Sequence, residues 1–211
     1  GLDGINLDFE KIPSDAGADW AEFLKELSVA THKEGIVLSV DNYAPTASTI
    51  HYSRGVQGDV CDYVIVMGYD EHWAGGGVAG SVASIGFMED GIVNTINSGV
   101  PADKLINAVP FYTRVWKTKD STVTADTMGM GSSADWCAEY GVELNWNDET
   151  CQKYGEKEMN SVLYQVWLED KESLEAKLSV MDAHECAGVA EWKLGLETRE
   201  AWDAILEYMA R

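Results

Sequence analysis

Residues 1–10 read Gly1-Leu2-Asp3-Gly4-Ile5-Asn6-Leu7-Asp8-Phe9-Glu10, and their alternation decides the fold expected of the chain. Successive side chains of a strand point to opposite faces. One parity carries Ile5, Leu7 and Phe9, and the other carries Asn6, Asp8 and Glu10. That pattern fits a barrel wall, with helices over the apolar face and a closed interior on the polar one. The polar series finishes at the C-terminal end of the strand, where (β/α) barrels carry their chemistry. Asp8 and Glu10 share this face about 7 Å apart. Two carboxylates that close raise one another's pKa unless something neutralises them. The alternative is an edge strand with solvated acids; the apolar parity and the Lys11-Ile12-Pro13 loop that follows favour a functional pair.

Outward from this strand the pattern alternates. A helix is expected from about Asp19 to Glu34, with Trp20, Phe23, Leu24, Leu27 and Ala30 on one face and Gly35 closing it. Strand Ile36–Val40 runs into Asp41-Asn42-Tyr43, and a polar loop holds His51 and Tyr52. A buried strand, Tyr63–Met67, ends in Gly68-Tyr69-Asp70 and is followed by the glycine-rich loop Glu71–Gly80. Helix Ile85–Asn97 and strand Leu105–Phe111 lead into Tyr112-Thr113-Arg114. Strands alternating with helices imply parallel βαβ units.

From Trp116 to about Asn160 the pattern breaks into a polar stretch, read as an inserted subdomain of short antiparallel strands. Val162–Leu168 is then a strand, and Asp170 caps a helix with core face Leu174, Leu178 and Met181. After strand Gly188–Trp192, a last helix from Thr198 buries Trp202, Ile205, Leu206 and Met209. The fold class expected is therefore α/β, of the (β/α)8 TIM-barrel type, with a small α+β insertion before the last βα unit. Residues 1–115 form barrel units, 116–162 the insertion and 163–211 the C-terminal barrel units of one domain. Five barrel-type strands are counted where a closed barrel has eight. With Gly1 already inside a strand, the chain reads as a piece of a longer protein. Two unpaired strand edges invite pairing, with a second copy or with a preceding part of that protein.

A chain of 211 residues, 45% hydrophobic, suits one globular domain. A net charge of -21 argues against nucleic acid and anionic membrane as partners. No apolar run reaches the 18 or more residues of a membrane span, and no signal peptide is read. None of the four cysteines sits in a C-x-x-C pair, so no zinc site is expected. Cys61 and Cys186 read as buried thiols, while Cys137 and Cys151 leave a disulfide open. Asp8, Glu10, Asp70 and His72 match no metal-ligand spacing, and no cofactor is expected.

Asp3-x-x-Asn6-x-Asp8-x-Glu10 resembles the D-x-x-D-x-D-x-E signature of family 18 glycoside hydrolases, the chitinase and N-acetylglucosaminidase group, with Asn6 where the middle Asp usually stands. The form GINLDFE most resembles the spore-cortex and cell-wall branch. Met67-Gly68-Tyr69-Asp70 is similar to the family's M-x-Y-D at the end of the sixth strand. The resemblance implies that the segment covers about strands 4–8 of the barrel. It also implies cleavage of β-1,4-linked N-acetylglucosamine polymers, by substrate-assisted chemistry rather than by the usual pair of enzyme carboxylates.

Glu10 would be the general acid, which must stay protonated near neutral pH; a carboxylate neighbour such as Asp8 favours that. Asp8 would hold the acetamido N–H and stabilise the cationic ring, and Tyr69 would orient the acetamido carbonyl. Asn6 can hydrogen-bond Asp8 but cannot share a charge or a proton with it, which would shift the pH optimum. Asp70 would hold a sugar hydroxyl or amide. Trp192 would floor a sugar subsite, since a flat apolar ring suits the C–H face of a pyranose. Tyr112, Arg114 and Tyr43 would line the cleft, and His72 and Trp73 lie in a loop near it. The resemblance places the parent protein outside the cell, in the cell wall or on the spore surface, with a polysaccharide as its partner. A sugar-binding barrel without catalysis and an inactive fragment stay as alternatives; retention of Glu10 favours the enzyme.

Overall fold

The computed structural model describes residues 1–210. In chain order it begins with β1 (Gly4–Leu7), α1 (Gly17–Lys33), β2 (Val37–Tyr43), α2 (Arg54–Val60) and β3 (Tyr63–Met67). Then come α3 (Ile85–Asn97), β4 (Leu105–Pro110), β5 (Tyr112–Lys119), β6 (Thr122–Gly129) and α4 (Met130–Tyr140). The remainder is β7 (Asn145–Asn147), β8 (Gln152–Met159), β9 (Val162–Leu168), α5 (Lys171–Ala183), β10 (Gly188–Trp192) and α6 (Arg199–Met209). The chain divides into two compact units. The first comprises Gly1–Met67, Glu89–Ala108 and Met181–Ala190; the second comprises Gly68–Met88, Val109–Val180 and the chain from Glu191 on.

The first unit is built on a sheet ordered β1-β2-β3-β4-β10, with β1 at one edge and β10 at the other. Strands β1 to β4 pair in parallel, as the strand–helix alternation predicts. Alternation along β2 buries Leu38, Val40 and Asn42 and leaves Ser39, Asp41 and Tyr43 half-buried. Helix α1 buries Trp20, Leu24, Ser28 and Thr31, one residue per turn. Phe23 and Ala30, expected on the core face, are exposed instead. Gly17 opens α1 hard against the loop before α2: a Cβ there would lie 2.7 Å from the carbonyl oxygen of His51. Two polar contacts tie α2 into the unit. Asn42 Nδ2 donates to Gln57 Oε1 at 2.6 Å and Gln57 Nε2 returns to Asn42 Oδ1 at 3.1 Å, which ties α2 to β2. Lys104 Nζ donates to the carbonyls of Gly58 and Cys61 at the end of α2.

The second unit contains an antiparallel sheet ordered β6-β5-β9-β8-β7. Val162–Leu168, which the sequence reading left at the start of the C-terminal segment 163–211, belongs to this sheet: it pairs antiparallel with β5 and with β8. The sheet also starts at Tyr112, so the antiparallel region reaches beyond residues 116–162 at both ends. Its core is Val115, Cys137, Val142, Val166 and Leu168, with Met128, Trp136, Leu144 and Tyr164 packed on it. Trp116 is fully buried and donates its Nε1–H to the carbonyl of Gly80 at 2.8 Å.

Helix α5 begins with a reciprocal cap, Ser173 N to Asp170 Oδ1 and Asp170 N to Ser173 Oγ, both at 3.0 Å. Its Lys177 forms a buried ion pair with Glu169, with Nζ at 2.9 and 3.1 Å from the two carboxylate oxygens. Helix α6 buries Ala201, Ala204 and Ile205, whereas Leu206 and Met209, expected in the core, are exposed. Cys137 and Cys151 are both free thiols, so the disulfide left open by the sequence is not formed. Cys186 is half-buried rather than buried.

Candidate active site

In the first unit, β1 ends at Leu7, and Asp8, Phe9 and Glu10 follow it outside regular secondary structure. The parity read from sequence holds here. Phe9 turns to α1, stacking on Phe23 with centroids 6.1 Å apart and lying 5.5 Å from Trp20. It is nevertheless 52% exposed, because β1 is an edge strand. An open groove of about 570 Å³ runs along these rings and the Asp8–Pro13 segment.

The polar parity meets β2. In the parallel register Asn6 is opposite Ser39 and Leu7 opposite Val40. Ser39 Oγ donates to Asn6 Oδ1 at 2.7 Å, and Asn6 Nδ2 donates to Asp41 Oδ2 at 2.9 Å. Asn6 was expected to bond Asp8; its recorded partners are Ser39 and Asp41. The Tyr43 hydroxyl donates to Glu10 Oε2.

Desolvation, and then the charge of Glu10, hold the Asp8 carboxyl above its ordinary range. Desolvation, then the hydrogen bond to Glu10, then the charge of Glu10 push the Tyr43 phenol well above its usual value. Tyr43 is itself positioned: its carbonyl accepts from Arg54 at 2.9 Å and its ring meets Tyr52 edge-on. The turn after the acid is fixed by Ile12 N donating to Tyr52 Oη at 3.3 Å and by the contact of His51 Nε2 with the Ile12 carbonyl at 2.7 Å. Lys11 makes that turn in a left-handed conformation, φ 56°.

In the second unit, Tyr69 packs edge-on against Tyr112 with centroids 6.2 Å apart. Asp70, with φ 59°, offers Oδ1 to two donors at 2.6 Å, Tyr112 Oη and Arg114 Nη2. Burial, then this bond to Asp70, drives the Tyr112 phenol far above its usual value. Arg114 is held further by Thr127 Oγ1 at 2.8 Å and by the carbonyl of His72 at 3.3 Å. His72 Nδ1 lies 2.9 Å from the carbonyl of Ser81, which closes the glycine-rich loop, and Trp73 on that loop is exposed. Trp192 is half exposed, and its carbonyl accepts from Phe111 N at 2.8 Å.

The predicted residues thus gather within each unit: Asn6, Asp8, Glu10 and Tyr43 in one, Tyr69, Asp70, Tyr112 and Arg114 in the other. Asp41 joins the first group and was not read from sequence as a site residue. The signal was present: Ser39, Asp41 and Tyr43 alternate on β2 as Asn6, Asp8 and Glu10 do along β1 and the residues after it. Among the described residues no three His, Cys, Asp or Glu side chains are grouped to hold a metal ion.

Solved structures extend the comparison. A chitinase from Chromobacterium violaceum ATCC 12472 superposes with a TM-score of 0.87 at 26% identity, over 99% of this chain and 67% of that one. The parallel strands, together with this likeness, define the class: a TIM-barrel-like α/β protein. The sequence model of Glycosyl hydrolases family 18 matches residues 1–197, and the chain belongs to that family. Its relatives include the cortical fragment-lytic enzyme of Bacillus anthracis, 24% identical over 98% of this chain and 50% of the relative. The glycosylase YvbX of Bacillus subtilis (strain 168) is 27% identical over 96% of this chain and 60% of its own length. The chain therefore spans about half to three-fifths of the curated relatives it matches.

Proposed function

We propose that the protein is a glycosidase cleaving β-1,4-linked N-acetylglucosamine polymers, with peptidoglycan or its spore-cortex form as first substrate and chitin as second. The observation that carries this reading is the acid pair that follows β1: Glu10 takes a hydrogen bond from Tyr43, and Asp8 is held toward its protonated form by desolvation and by Glu10. Family membership supports it, as do a lytic enzyme of cortical fragments and a chitinase among the similar proteins.

In this reading the Glu10 carboxyl gives its proton to the glycosidic oxygen as the C1–O bond breaks. The substrate's own acetamido oxygen closes on C1. Asp8 accepts the acetamido N–H and stabilises the cationic ring that forms. Tyr69 donates its hydroxyl to the acetamido oxygen. Water then opens the ring, returning a proton to Glu10. Asn6 and Tyr43 support the acids. Trp192 supplies an apolar floor for a sugar ring, and Tyr112, Arg114 and Asp70 bind polar sugar groups.

The reading assigns β1, β2, β3, β4 and β10 to the fourth to eighth barrel strands. It places the parent protein at the cell wall or spore surface. The edge position of β1 supports pairing with a strand of a second copy or of a longer parent chain; a monodisperse monomer in light scattering would count against a second copy.

The test is hydrolysis of a chromogenic chitobioside and of purified peptidoglycan, by the native sequence and by Glu10→Gln, each within the full-length parent protein. Release from either substrate that vanishes in the variant is expected. Equal release by both proteins would remove Glu10 from the mechanism, and cleavage of chitin oligomers alone would reverse the order of substrates.

A further inference from the structure

One carboxyl of the first unit has an oxygen without a partner. Asp41 Oδ2 accepts from Asn6, but Oδ1 is buried and meets no donor. A buried carboxylate oxygen in that position is costly; a protonated carboxyl costs far less. Of the groups that face Asp41, Asn6 alone supports its charge, through the one hydrogen bond. On the β1 side stand Asn6, Asp8 and Glu10; on its own face of β2 stand Ser39 and Tyr43; opposite it on β3 is Ile65. None of these is a cation. Desolvation raises the Asp41 carboxyl above its usual range; the Asn6 bond opposes this, and the charges of Asp8 and Glu10 add to it.

Asn6 occupies the place where the family pattern has a second carboxyl, and an amide cannot take up a proton. We propose that Asp41 does this instead, from the neighbouring strand: as a positioning residue it keeps a proton while Asp8 ionises, and so sets the charge that Asp8 presents. Its use in catalysis rests on the glycosidase reading; the linkage between Asp41, Asn6 and Asp8 does not. Asn6 becomes the spacer. Its carbonyl oxygen is held by Ser39 and its N–H by Asp41, so the amide is fixed in one orientation within the cluster.

The experiment is a carboxyl carbon-13 NMR titration of the aspartate-labelled chain, read for Asp8 and Asp41, with Asp8→Asn and Asp41→Asn providing the assignments. In the native sequence both resonances should show two linked steps, as coupled sites do. Asp8→Asn should lower the Asp41 midpoint by roughly 0.5–1 pH unit, because Asp41 then no longer titrates against the Asp8 charge, and Asp41→Asn should leave Asp8 a single step. Asn6→Asp, which adds a carboxyl beside Asp41, should raise the Asp41 midpoint. Single, independent steps in the native chain, or an Asp41 midpoint unmoved by Asn6→Asp, would overturn the proposal even if Asp41→Asn failed to fold. In the active parent protein, Asp41→Asn should remove the change in kcat/KM at the pH where Asp41 itself ionises; a uniform drop with every limb of the profile in place would mark a merely structural role and overturn it. Linked titration without cleavage of any glycan would sink the glycosidase reading alone. Cleavage without linkage would sink this inference alone.

Discussion

Glu169 and Asp41 are both acids drawn out of water, and the chain treats them in opposite ways. Around Glu169, in the second unit, every demand of the charge is met. Lys177 reaches both oxygens, Gln152 Nε2 donates to Oε1 at 2.7 Å and Ser173 Oγ to Oε2 at 2.8 Å. Its backbone N–H donates to Thr113 at 2.8 Å. Around Asp41, in the first unit, one amide donates and two further acids approach. A buried charge with full compensation holds secondary structure in place; one left short of donors stores a preference for its proton. The second state is the one that chemistry uses.

The largest test of this contrast is Glu10→Gln in the parent protein. Losing the acid should lower kcat by about 10²- to 10⁴-fold while unfolding stability stays within about 0.5 kcal/mol, measured by chitobioside hydrolysis and urea denaturation. Lys177→Met should do the reverse: it leaves Glu169 buried without its cation and should cost about 3–5 kcal/mol of stability. Lys177→Met combined with Glu169→Leu should recover most of that loss, and a single variant costing under about 1 kcal/mol would break the comparison. Tyr43→Phe removes the hydroxyl bonded to Glu10 and should lower kcat/KM two- to tenfold, the equivalent of about 0.5–1.5 kcal/mol.

The smallest effect concerns Asp41 and pH. Its folded-state pKa lies above the unfolded one. Folding is therefore most favoured below the unfolded pKa, and that advantage is lost as pH rises through the folded value. Asp41→Asn should remove this decline: equal melting temperatures in strong acid, and a variant about 2–4 °C higher near neutrality for a gain of ~1 kcal/mol. A variant that melts lower at every pH would show Asp41 to be held by contacts its carboxylate needs.

The parallel strands were legible because apolar runs alternate with helical periods over the first hundred residues, and because the polar parity of residues 6, 8 and 10 survives in the structure. Val162–Leu168 was misplaced for a physical reason. A short apolar strand reads the same whether a helix or another strand covers it, and only its partners distinguish the two cases. Leu206 and Met209 were expected inside because α6 is amphipathic, yet the residues it buries are Ala201, Ala204 and Ile205. Asp41 was passed over because strand β2 was ended at Val40: Asp and Asn are poor strand formers by propensity. The structure carries β2 on to Tyr43, where partners on β1 and α2 outweigh that preference.

Asn42 has a consequence for the residues on either side of it. It points away from Asp41 and Tyr43, into the apolar side of the sheet, where Gln57 matches its amide atom for atom. Sliding β2 by one position would carry Asn42 to the acidic side and thrust two polar neighbours into hydrocarbon. The amide pair therefore serves as a ratchet stop on the reverse of the strand, and the spacing of the acids is decided by a contact that no substrate would ever touch.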